Sequence, residues 1–236
     1  MTDPATVKKE LQQYADPEKA EILTRYFKAV PGGYGEGDRF MGVKVPFQRK
    51  IARKHYKQMP LEEVEKLLQD PLHECRLTAL FILCLQVEKG SPGQREKIVQ
   101  LYLRNLAYVN NWDLVDASAE KILGPYLMGK DKDLLYELAK SGELWKERVA
   151  MMTTFHFIKN GSFAEALELA EGFLDHKHDL IHKSAGWMLR ETGKRDFETE
   201  YGFLQQHYHK MPRTMLRYAL EKFDPQLRQN FLKGKI

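Results

Sequence analysis

Cysteine is nearly absent from the 236-residue chain: Cys75 and Cys84 are the only two, with no CxxC pair and no nearby histidine pair at metal-ligand spacing. That argues against a disulfide framework or a zinc site. No stretch approaches the roughly 18 apolar residues of a membrane span, and the opening Met-Thr-Asp-Pro-Ala-Thr-Val-Lys-Lys-Glu carries no apolar signal block. A cytoplasmic protein without membrane contact, metal or cofactor is expected. Alternating apolar runs closed by a two-residue glycine turn are also missing, so strands are not needed. Nor is there a large excess of either charge: 37 Lys+Arg against 33 Asp+Glu leave +4. That is too little to announce a nucleic-acid binder, so the placement of the charges must decide.

What the chain does have is helical periodicity. Apolar residues recur three or four apart from Pro17 to Val30, Pro46 to Gln58, Pro71 to Glu88, Gln94 to Ala107, Trp112 to Met128 and Leu144 to Lys159. The pattern resumes at Ser162–Leu174, Leu180–Thr192, Phe197–His207, Pro212–Phe223 and Pro225–Lys233. Pro17, Pro46, Pro71, Pro212 and Pro225 sit where a first helical turn tolerates proline. Glu74-Cys75-Arg76-Leu77-Thr78-Ala79-Leu80 resembles Lys146-Glu147-Arg148-Val149-Ala150-Met151-Met152 at a distance of 72 residues, and Arg148 to Lys183 is another 35. A period of about 35–40 with two helices per unit predicts an all-α, HEAT-like curved solenoid whose second helices line a concave face. A single domain over residues 1–236 is expected.

The exception is residues 31–46 (PGGYGEGDRFMGVKVP), a glycine-rich loop expected to be long and mobile. Asp38, Arg39, Phe40 and Lys44 equip it as a contact loop, whereas a plain surface excursion is the alternative. It lacks the GK[ST] ending of a phosphate-binding loop.

The basic residues fall in stripes. Lys183, Trp187, Arg190 and Lys194 are spaced by four, three and four, as are Arg148, Met152, Phe155 and Lys159. Arg213 and Arg217 are one turn apart, as are Arg49 and Arg53. A tryptophan within a row of cations suits an anionic polymer that also offers a ring or sugar, while ordinary solvated faces are the competing explanation. Acids gather elsewhere, at Glu62, Glu63, Glu65 and Asp70 and at Glu165, Glu168, Glu171 and Asp175. The helix from Trp112 breaks the rule by carrying Asp116 one turn after Trp112 on the presumed basic face. That carboxylate either anchors an arginine such as Arg148 or supplies chemistry. Asp113, in the first turn, reads as a structural helix-terminal charge. His55, His73 and His156 lie singly and read as structural. The loose groups His176, His178 and His182, and His207 and His209, have no convincing ligand spacing.

Asn111-Trp112-Asp113-Leu114-Val115-Asp116, Leu144-Trp145-Lys146-Glu147-Arg148 and Lys183-Ser184-Ala185-Gly186-Trp187-Met188-Leu189-Arg190-Glu191 together resemble the AlkD family of DNA alkylation-repair glycosylases, from about Asp16 through Phe223. The resemblance implies a HEAT-like superhelix with a concave DNA channel. It implies excision of cationic N3- and N7-alkylated purines, such as 3-methyladenine and 7-methylguanine, from duplex DNA without a base pocket. By the same resemblance Asp116 matches the catalytic carboxylate, Trp112 and Trp187 the aromatics flanking the lesion's deoxyribose, and Arg148 the cation beside them. Tyr26 falls where the family has a DNA-facing tyrosine. Lys44, Lys159, Lys183, Arg190, Lys194, Arg213 and Arg217 are the expected DNA contacts. The chain is expected to act as a monomer, associated with the nucleoid through its DNA. It departs from some members at Asn111 and at Asp179-Leu180, where they have aromatics. A non-catalytic relative that binds damaged or branched DNA is the first alternative, and a protein-interaction scaffold the second.

Overall fold

Asp3-Pro4, Asp16-Pro17, Ser91-Pro92 and Asp224-Pro225 each begin a helix in the computed structural model, which describes residues 2–236. In each pair the first side chain accepts a backbone N–H of the opening turn, and the proline takes a position whose own N–H would have had no partner. Among the described residues there is no strand, only an isolated parallel bridge between Arg39 and Leu72. The fold class is all-α, as expected.

The chain divides into two compact units. The first, ending at Tyr126, holds α1 (Pro4–Gln12), α2 (Pro17–Tyr26), α3 (Val45–His55), α4 (Leu61–Leu68), α5 (His73–Lys89), α6 (Pro92–Arg104) and α7 (Trp112–Leu127), whose last residue opens the second. That unit, Leu127–Ile236, holds α8 (Asp133–Ala139), α9 (Leu144–Lys159), α10 (Ala164–Gly172), α11 (Asp179–Gly193), α12 (Phe197–His207), α13 (Arg213–Ala219) and α14 (Pro225–Lys233).

In the first unit α5 is the central element, packed by α3, α4 and α6. It buries 13 of its 17 residues, which explains a sequence apolar on nearly every face. In the second unit α9, α11 and α13 stack in series, with α10 and α12 alongside α11. Such stacking of every second helix is how a helical repeat closes its core. The repeat visible in the sequence has a structural counterpart: Arg76 and Arg148 are both buried arginines early in their helices, and both donate to main-chain carbonyls. Cys75 and Cys84 are buried free thiols, each pushed up to about 12 by burial.

Three features differ from expectation. The helices α1, α4 and α8 lie outside the predicted segments, although α4 buries Val64, Leu67 and Leu68 on one face, three and four residues apart. Two of the prolines do not sit in a first turn. Pro71 precedes α5, whose N-cap is Leu72, and Pro212 is itself an N-cap. The glycine-rich loop is not loose. Buried Glu74 accepts the successive N–H groups of Met41, Gly42 and Val43, and the His73 N–H reaches the Arg39 carbonyl at 2.8 Å. Gly42 has φ +82°, and a Cβ there would lie 2.0 Å from the Asp16 carbonyl oxygen, so only glycine fits.

Candidate active site

In the first unit the start of α7 is built around Asn111, which is fully buried. Its Oδ1 accepts the Trp112 N–H at 2.9 Å, and its amide reaches the Phe27 carbonyl at 3.4 Å. The departure from the aromatic found in some relatives therefore falls on a buried residue that ties α7 to the end of α2. Trp112 is half-buried, flanked by Phe27 at 5.0 Å and by Tyr26 edge-on at 5.6 Å. Tyr26 is 60% exposed, so this aromatic surface opens to solvent beside Trp112. Asp116, one turn further along α7, is half-buried. The predicted neighbours Trp112, Asp116 and Tyr26 thus belong to one small region, with an indole face one turn from a carboxylate. Lys44 stands apart from it, exposed at the N-cap of α3.

Beneath the aromatic surface lies an ion network. The His73 ring, 2% exposed, meets Asp38 of the loop through Nδ1 at 2.8 Å and Asp113 of α7 through Nε2 at 2.9 Å. Burial pushes the imidazole down, but the Asp113 charge and hydrogen bonds to Asp113 and Asp38 outweigh it and raise His73 to about 9. The ring is an imidazolium at neutral pH, and both its nitrogens donate. Asp38 also receives Arg76 and Asn110. Burial raises the Asp38 carboxyl, yet the His73 hydrogen bond and the Arg76 charge hold it below its ordinary value. Asp113 is a structural charge, as the sequence suggested, but its anchor is a histidine 40 residues away as well as the helix end.

In the second unit Trp187 of α11 is half-buried, with Phe155 of α9 at 6.0 Å. Its Nε1 donates to Glu191 at 3.2 Å. Arg148 is 5% exposed and donates to the Leu180 carbonyl at 2.6 Å, a site for positioning rather than for gripping a phosphate in solvent. Lys159 lies over the Phe155 ring at 4.1 Å. Arg213 and Arg217 are exposed on α13, and Arg213 donates to the Leu232 carbonyl.

The α11 stripe needs correction. A lining of cations with a single carboxylate is not what the second unit presents. Lys183 pairs with Asp179 at 2.8 Å, Arg190 with Glu221, and Lys194 with Glu191 at 2.6 Å. Burial opposes ionisation of Glu191, but hydrogen bonds from Lys194 and Arg195 hold its carboxyl below the usual range. Arg195 and Glu191 were missed as members of this surface. The i, i+4 steps from Trp187 to Glu191 and from Glu191 to Arg195 could have found them. The loosely clustered histidines are occupied locally. His176 meets Glu147 at 2.9 Å, His182 donates to the His176 carbonyl, and His178 accepts the Leu180 N–H. Gly186, in the middle of the motif, serves packing: a Cβ there would lie 2.3 Å from the Met215 carbonyl oxygen of α13.

The first unit carries a tryptophan and an aspartate one turn apart on α7, and the second carries a tryptophan among ion-paired cations on α11, a set of residues suited to a polyanionic ligand. The comparisons make the class specific. The model of the DNA alkylation repair enzyme family matches residues 7–223, and the chain belongs to that family. A solved structure described as "Predicted DNA alkylation repair enzyme from Enterococcus faecalis" shares the fold, with a TM-score of 0.69 at 18% identity over 89% of this chain and 97% of that one. Among curated proteins nothing matches the chain. Membership assigns the protein to DNA alkylation repair. No helix among the described residues is long and apolar enough to cross a membrane.

Proposed function

We propose that the protein is a DNA glycosylase that hydrolyses the N-glycosidic bond of cationic N3- and N7-alkylated purines in duplex DNA, the first step of base excision repair. The observation that carries this reading is the placement of half-buried Asp116 one turn after half-buried Trp112 on α7, with the exposed ring of Tyr26 against Trp112. Glycosidic cleavage passes through an oxocarbenium-like sugar, and most glycosidases need a second carboxyl to protonate the leaving group. A 3- or 7-alkylated purine is already cationic and departs neutral, so one carboxylate suffices. Asp116 stabilises the developing sugar cation and orients the attacking water. Trp112 adds attraction between its π face and the sugar, on the order of 0.5–2 kcal/mol. Trp187 and Arg148 complete the catalytic set by the resemblance of their motifs. The buried Arg148 acts as a positioning group, and the exposed cations Lys44, Lys159, Lys194, Arg213 and Arg217, with Lys183 and Arg190, contact the DNA backbone.

The monomeric protein needs no metal or cofactor for this chemistry, because the leaving group carries its own activation. The test is base release from duplex DNA bearing 7-methylguanine or 3-methyladenine, compared with the same duplex unmodified. Release from the alkylated duplex alone supports the proposal. Tight, salt-sensitive DNA binding with no release would identify a non-catalytic binder of damaged or branched DNA instead.

A further inference from the structure

Three separate segments of the first unit meet at one ring. Asp38 comes from the loop, His73 from the first turn of α5 and Asp113 from the first turn of α7. Phe27 and Phe40 pack on the imidazole at 5.0 and 4.8 Å, and Phe27 is also the ring against which Trp112 rests. Asp113 is held at both oxygens, Oδ2 by His73 and Oδ1 by the Leu114 N–H at 2.9 Å. The charged groups around the ring are Asp38 and Asp113, with Arg76 one turn along α5 on the far oxygen of Asp38; Glu74 turns away to the loop amides.

A buried ionic cluster of this kind adds little stability over an apolar core of equal volume, but it fixes geometry here, because each hydrogen bond joins a named atom pair and both ring nitrogens are engaged at once. Asp113 lies between Trp112 and Asp116 in sequence, so rotation or fraying of this first turn would turn the indole and the carboxylate together. We propose that His73 is a positioning residue for base excision, clamping the loop to α7 so that Trp112 and Asp116 face the lesion in one fixed arrangement. The proposal rests on the glycosylase reading of those two residues.

Two measurements separate its failure from failure of that reading. With 5-fluorotryptophan incorporated and the Trp112 fluorine resonance assigned through Trp112→Phe, that resonance should shift with a midpoint near pH 9 as the ring loses its proton. It should not titrate in His73→Gln. A Trp112 resonance of the same position and width in the native protein and in folded His73→Gln would overturn the proposal, whether or not the protein excises bases. In single-turnover release of 7-methylguanine, His73→Gln should lose at least about tenfold in rate with its DNA affinity nearly unchanged. Asp113→Asn, which keeps the side chain's shape, should lose rate in the same way and guards against misfolding of the first variant. Native rates in both folded variants would equally overturn the clamp.

Discussion

Glu200 of α12 is buried with its Oε1 unbonded, and burial, only partly opposed by the Arg190 charge, pushes its carboxyl up to about 8. A carboxyl raised in the folded state contributes stability that is full below its unfolded value near 4.5 and is lost as pH rises through 8. His73 acts in the same direction over a higher window, its contribution full below about 6.5 and lost as pH rises through 9. Through these two groups stability should therefore fall from about pH 4.5 to pH 9, most steeply between about 6.5 and 8, where both windows overlap. In urea unfolding, Glu200→Gln should recover on the order of a few kcal/mol of that loss at the alkaline end. A variant whose stability falls as steeply as the native protein's would contradict the assignment. At this scale the sequence was legible where a residue's role is local. The Asp-Pro and Ser-Pro helix starts follow from neighbours in the chain, whereas His73 and Asp38 find partners 35 to 40 residues away and gave no local signal.

Among the elements, α7, α9 and α11 were readable because their motifs coincide with long helices, and the short α10, α13 and α14 also fall in predicted segments, whereas α1, α4 and α8 do not. The loop shows a different limit. Its glycines predict mobility when only composition is considered, but Glu74, 31 to 33 residues distant, collects three of its amides. The face of α11 shows why spacing alone misjudges charge. The cations are where the pattern put them, but each is met by an acid from its own helix or, for Arg190, by Glu221 beyond α13. In the proposed DNA-facing role of these cations, DNA would compete with these partners. Glu221→Gln should free Arg190 and tighten binding to duplex DNA about twofold to fivefold at low salt, with the gain shrinking as salt rises. Unchanged affinity in a titration at low salt would remove Arg190 from the DNA-facing set.

Over the whole molecule the net charge of +4 says little, and the useful information lies in which residues share a helix face. Fold class was legible from periodicity, and the family from three motifs that the family match over residues 7–223 now contains. The catalytic assignment depends on one aspartate. The most direct test is single-turnover release of 7-methylguanine from duplex DNA by the native protein and by Asp116→Asn, with DNA affinity measured for both. The native protein should release the base, and the variant should bind equally well while its rate falls on the order of 100-fold to 1,000-fold. Release by Asp116→Asn at the native rate would contradict the account.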